Sequence, residues 1–228
     1  MILLFTILGL LLASAQCAIN SAHTGIPTNP PHQAILEHLN ALGALTWQYN
    51  TIADATAHTT YVDIDTWNAA AAAVENADTS SANIDSHIEF SMTDVALEYT
   101  RPSRRAILSD NIRSKVDCWR DGVPIPNQDV HVFTGQVVLS VQKEARTGMY
   151  MFGFRYPYDT AVTIWYGVKV ENWDDQIKKE LLREMFHQLI LFHWCVDKDG
   201  KTKGGRITAT HVQKRWTVAW AEVTTVRA

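Results

Sequence analysis

The chain has 228 residues, 46% of them hydrophobic and 19% charged, with a formal net charge of -4. That length allows one domain with extensions or two small ones, and the apolar fraction can bury a core, which excludes wholesale disorder. The acidic balance excludes a basic nucleic-acid binder on bulk charge, so no nucleic-acid partner is expected.

Residues 1–17 read MILLFTILGLLLASAQC. An apolar run from Ile2 to Leu12, then Ala13, Ser14 and Ala15, is the h-region and cleavage pattern of a secretory signal peptide. The run is shorter than the about 20 apolar residues that cross a bilayer. Cleavage is expected after Ala15 or Cys17, and it removes no charged side chain. Two cysteines remain, Cys118 and Cys195. In an oxidising compartment they either form one disulfide or stay as two half-buried thiols, and two cysteines carry no spacing pattern that chooses. No Asn-x-Ser/Thr sequon occurs, so no N-glycan is expected.

Residues 18–33 hold Pro27, Pro30 and Pro31 among polar residues and read as an extended leader. Over 33–49, Ile35, Leu36, Leu39, Leu42, Leu45 and Trp47 recur at helical spacing, opposite Glu37, Asn40 and Gln48. This pattern predicts an amphipathic helix, either packed on a core or free to seek a membrane. The alanine-rich stretch 66–77 predicts a second helix, with Asp65 or Thr66 as its cap. From 87 the texture turns to strand: 87–100, 130–142, 149–157 and 160–171 are rich in β-branched and aromatic residues. Residues 174–192 return to helix, with Leu181, Leu182, Met185, Leu189 and Phe192 on one stripe. A turn-rich stretch follows, and 206–226 closes the chain as two strand-like runs. The order predicts a mainly β fold, a β-sandwich flanked by two or more α-helices.

Local templates for chemistry fail. His187 and His193 are six apart on a predicted helix and point to different faces. Asp197-Lys198-Asp199-Gly200 resembles part of a calcium loop but lacks its third acidic position and closing Glu, so a hairpin turn is expected. No Gly-rich phosphate loop, nucleophile elbow or HExxH motif occurs. Neither enzymatic activity nor a metal or cofactor is expected. The informative stretch is 132–173, where eight aromatics fall between Tyr150 and Trp173. Alternation along strands sends about half of these rings to each face. They make either an aromatic-rich β core or a surface for lipid headgroups or sugars.

Three segments carry a family resemblance: Val132-Phe133-Thr134-Gly135-Gln136-Val137, then Phe154-Arg155-Tyr156-Pro157-Tyr158-Asp159, then Trp165-Tyr166-Gly167-Val168-Lys169-Val170. Met185 to Leu191 follows, and Tyr99-Thr100-Arg101-Pro102 lies upstream. In order and spacing these resemble the actinoporins, the pore-forming cytolysins of sea anemones and their relatives in molluscs and other animals. The resemblance covers about 84–226. It implies an actinoporin-like β-sandwich that binds phosphocholine headgroups, chiefly sphingomyelin. It also implies an N-terminal amphipathic helix that detaches, inserts and oligomerises on the target-cell membrane.

Carried over position by position, the resemblance implies a headgroup site of Arg101, Val132, Arg155, Pro157, Phe186, Ile190 and Leu191, with Trp165 and Tyr166 as the remaining exposed aromatics. Pro102 and Arg155 stand where the family has serines, and Phe186, Ile190 and Leu191 where it has tyrosines. An aliphatic side chain has no π-face for a quaternary ammonium. Two functions are therefore expected as rivals. One is a secreted pore-forming cytolysin whose partners are a membrane lipid and its own copies. The other is a secreted, non-lytic, lectin-like lipid- or glycan-binding module. The expected organisation is a signal peptide over 1–17, a leader with helices over 18–83, and a β domain over 84–228 with a helix inserted near 174–192.

Overall fold

The computed structural model describes residues 29–52, 55–81, 107–109, 112–172, 181–191 and 195–227. The signal-peptide reading, residues 18–28 of the leader, the expected strand over 87–100, and Arg101 with Pro102 lie outside these residues.

The chain is mainly β. One antiparallel sheet of eight strands runs in the order β1-β2-β6-β7-β10-β9-β4-β3. Its strands are β1 (Gln48–Ile52), β2 (Ala55–Asp63), β3 (Ile107–Ser109), β4 (Ile112–Cys118), β6 (Gly148–Arg155), β7 (Val162–Val170), β9 (Gly204–His211) and β10 (Thr217–Arg227). A short pair, β5 (Ile125–Pro126) with β8 (Lys201–Thr202), forms a second sheet. The helices are α1 (Gln33–Ala41), α2 (Ile64–Ser81), α3 (Asn127–Glu144) and α4 (Leu182–Phe186), the last running into a π-helical turn at His187–Leu191.

Strand alternation sorts the core into two layers, one on each face of the sheet. Tyr150, Phe152 and Phe154 of β6 and Ile164, Tyr166 and Val168 of β7 point to one face. There they meet Val130, Phe133, Val137 and Val141 of α3 and Leu182, Met185 and Phe186 of α4. Phe133 stacks on Phe154 at 4.5 Å between ring centroids, and Phe154 meets the edge of Tyr166 at 5.6 Å. The intervening residues Met149, Met151 and Trp165 point the other way, to Leu36 and Leu39 of α1 and Trp67 and Ala70 of α2. Helices thus cover both faces, and the principal partners of the large sheet are helical layers.

Two strand and helix boundaries differ from the sequence expectation. The stretch 130–142, expected as a strand, is helical. Its buried residues Val130, Phe133, Thr134, Val137, Val138 and Val141 recur three and four apart, which is the helix period. Their β-branched chemistry favours strands only weakly, and burial of a helical stripe overrides it. The helix expected over 33–49 stops at Ala41, because Gly43 turns the chain with φ at +67°. Residues 48–52 then pair with β2 as an edge strand, Gln48 opposite Thr59. Strand β2 pairs in turn with β6, Ala57 opposite Phe154, so both strands belong to the large sheet.

Other expectations hold. The alanine-rich helix spans Ile64–Ser81, but its cap is neither Asp65 nor Thr66, which lie inside it: the Thr66 backbone N–H donates to the Asp63 carboxylate at 2.9 Å, and Asp63 takes the capping role. Strands occur over 148–155 and 162–170, and the C-terminal pair is β9 and β10. The 197–200 segment is a turn, with Asp197 Oδ1 accepting the N–H groups of Asp199 and Lys201. Of the helix expected over 174–192, residues 181–191 are described and are helical. Cys118 and Cys195 are joined in a disulfide.

Candidate functional site

On the α1/α2 face the helices lie over β2, β6 and β7, β9 and β4 carry their side chains outward, and β10 is the boundary, with Trp220 and Val226 packed against the helical layer. Register sets the rows of this face. Glu222 of β10 stands beside Gly167 of β7 on one side and Arg206 of β9 on the other, and Arg206 stands beside Asp117 of β4. The next row runs Lys169, Trp220, Thr208, Lys115. Lys115 is 74% exposed and Arg206 32% by side chain, whereas Glu222 is 2%. A buried carboxylate thus sits where the covered half of the face gives way to the open half.

Glu222 is fully partnered. Arg206 donates to its Oε2 from Nε at 3.0 Å and from Nη2 at 2.7 Å. His32, the residue before α1, donates from Nε2 to Oε1 at 2.8 Å. Burial alone would raise the Glu222 pKa. The adjacent His32 and Arg206 outweigh it and hold the carboxyl well below its ordinary value, at about 2. The ion pair therefore stays charged at any physiological pH, and Arg206 cannot swing away without stranding a buried charge.

Aromatic rings frame this cluster. The Arg206 guanidinium carbon is 4.6 Å from the Trp220 ring centroid and 5.6 Å from that of Trp119. The His32 ring lies 5.6 Å from Trp220 and meets Trp67 edge-on at 5.7 Å. Trp119 is fixed at both ends, its backbone N–H donating to Gly204 O and its indole Nε1 to Val223 O at 2.8 Å. Gly204 permits that approach: its φ is +91°, and a Cβ there would fall 2.0 Å from Val223 O. Trp119 and Trp220 are both half-buried, so each keeps ring surface open beside a fixed guanidinium. Thr208 and Thr210 add half-exposed hydroxyls along the same face of β9. The arrangement offers flat apolar faces, planar N–H donors and hydroxyls, all on strands rather than loops.

The residues expected to hold a headgroup are distributed differently. Trp165 and Tyr166 are sequence neighbours on β7 and so point to opposite faces, both fully buried. Trp165 packs edge-on against Trp47 at 5.8 Å. The Tyr166 hydroxyl donates to Val130 O, and its ring meets Phe186 at 5.8 Å. Burial pushes the Tyr166 phenol far up, so it stays protonated. Phe186 and Ile190 lie in the same core layer, and Leu191 is half-buried beside it. Val132 is exposed on α3, while Arg155 and Pro157 are exposed at the β6–β7 turn. The structure brings Tyr166, Phe186 and Ile190 together inside the core and leaves Val132, Arg155 and Pro157 on the surface. Arg101 is outside the described residues.

The residues expected in an inserting helix also pack inward. Leu36, Leu39 and Leu45 are buried and Ile35 and Trp47 half-buried in the α1/α2 layer, while Leu42 is 66% exposed. Among the described residues, no helix is long and apolar enough to cross a membrane.

His32, Trp67, Trp119, Arg206, Trp220 and Glu222 were not singled out from the sequence. One signal was present: in TVAWAEVTTVR, Glu222 is the lone acidic residue of an apolar strand, two residues from Trp220 and hence on its face. A charge in such a run implies a partner. No family model matches the chain, and no curated protein and no solved structure matches it.

Proposed function

We propose that the chain is a secreted, non-lytic binding module that takes a glycan on the open half of its sheet. The observation that carries this reading is the Arg206 guanidinium, held by buried Glu222 between the half-exposed indoles of Trp119 and Trp220. The C–H face of a sugar ring stacks on indole, and its hydroxyls accept hydrogen bonds from a planar guanidinium. Such a platform loses little conformational entropy on binding, because its members are already immobilised. Secretion is supported by the N-terminal apolar run and by the Cys118–Cys195 disulfide, which belongs to an oxidising compartment.

The pore-forming reading, on an actinoporin-like sandwich, is the second proposal. It is supported by motif order along the chain and by the glycine turn at Gly43 that ends α1. It requires α1 to leave its core layer, which exposes Leu36 and Leu39 at about 1.5–3 kcal/mol each. The buried placement of Trp165, Tyr166, Phe186 and Ile190 favours the glycan module.

The test pairs a soluble-glycan panel with dye release from vesicles with and without sphingomyelin. Glycan binding that falls more than tenfold in Trp220→Ala, with no dye release, is expected. Sphingomyelin-dependent release without glycan binding would replace the module by the cytolysin.

A further inference from the structure

Building on the glycan reading, we infer that the ligand of this face is an acidic saccharide, one bearing a carboxylate or sulfate beside its ring. The charge on the open half-face runs against that of the chain. Arg113, Lys115 and Arg206 outnumber Asp117 and the buried Glu222 there, whereas the whole chain carries a formal charge of -4. Lys115 pairs with Asp117 at 3.1 Å on the surface, where such a pair is worth little and exchanges readily, whereas Lys169 is mostly buried in its pair with Glu171 at 3.2 Å.

Arg206 supplies the specific contact. Its guanidinium has five N–H groups, and Glu222 takes two of them through a single oxygen. The other three belong to a side chain that is 32% exposed, flanked by two rings. A planar, delocalised cation fixed at its rear by a buried carboxylate presents its remaining donors in one geometry. That geometry suits the two oxygens of a carboxylate or two of a sulfate. Trp220 and Trp119 then accept the ring that carries the anion. A neutral sugar would use the rings and leave the cations unanswered.

Binding of the purified chain to polygalacturonate, dextran sulfate and neutral dextran tests this. Polygalacturonate and dextran sulfate separate carboxylate from sulfate as the anionic source. Expected are at least tenfold tighter binding to one of the anionic polymers than to dextran, and a loss of that preference in Arg206→Lys, which keeps the charge but not the fork. Arg206 touches a buried carboxylate, so the exposed double variant Arg113→Ala/Lys115→Ala is the second probe. It should weaken anionic binding severalfold and flatten its salt dependence without changing the fold by near-UV circular dichroism. Equal binding to dextran and to both anionic polymers would overturn the acidic ligand and leave the glycan reading standing. Binding to none of the three would overturn both. Unchanged anionic preference in both variants would move the site elsewhere.

Discussion

Gly167 stands opposite Glu222 across β7 and β10, and a Cβ on Gly167 would lie 3.0 Å from both Cγ and Oε1 of Glu222 and 3.2 Å from the Trp220 ring. The absence of a side chain on β7 is what lets a carboxylate lie flat against the sheet and reach His32 and Arg206 at once. Gly167→Ala should displace Glu222 by a few tenths of an ångström and cost about 1–3 kcal/mol by overpacking. Chemical denaturation measures the cost, and a neutral substitution would show that the carboxylate has room to spare.

Removing the carboxylate charge should be costlier for the site than for the fold alone. Glu222→Gln leaves Arg206 facing an amide and His32 with a weaker acceptor, in a place where Glu222 itself is buried. We expect a loss of about 2–3 kcal/mol, at or below the lower end of the range for broken buried pairs because Arg206 is partly solvated. A double-mutant cycle with Arg206→Met gives the coupling directly. Additive losses would mean that the pair contributes nothing as a pair.

Stability should fall with acid in a window set by Glu222. Its carboxyl is held at about 2 against an ordinary value of 4.5. A depressed carboxyl contributes stability that is fully present above pH 4.5 and is lost as the pH falls toward 2. His131 works in the same direction at higher pH. Burial, with help from His187 and Arg183, lowers its pKa below 6.5, so acid must drive a proton onto it against the folded structure. Urea midpoints recorded from pH 2 to 7 should rise with pH, and Glu222→Gln should flatten the acid limb. A wild-type profile with no acid limb would contradict the assigned ion pair.

The disulfide spans 77 residues, from the end of β4 to the segment after the π-helical turn. By loop entropy alone, closing a loop of that size stabilises by about 4 kcal/mol. Cys118→Ala/Cys195→Ala should lose a comparable amount. It should also loosen Trp119, which follows Cys118 directly. A drop in glycan affinity larger than that seen in a stability-matched core variant would tie the disulfide to the site.

Trp67 joins helix to site, since it is buried in the α1/α2 layer and touches the His32 ring. Trp67→Ala should cost about 3–5 kcal/mol, and Trp67→Phe distinctly less. Tryptophan fluorescence and thermal melts would check both, and equal losses would point to the indole N–H rather than to volume.

Much of this architecture is written in local pattern. The strands over 148–155 and 162–170 announce themselves by β-branched and aromatic density, and the alanine run by helix propensity, because these signals depend on neighbours a few residues away. The strand expectation at 130–142 failed because valine-rich composition outweighed a period that Val130, Phe133, Val137 and Val141 display plainly. Tertiary structure alone decided the rest. Whether an aromatic is core or surface depends on which layer covers its face, and α3 and α4 bury the face of Tyr166 while α1 and α2 bury that of Trp165. The pairing of Cys118 with Cys195 and the meeting of His32, Arg206 and Glu222 join residues up to 190 positions apart. Such contacts follow from strand order and register, and no local period in the chain records which strand will lie beside which.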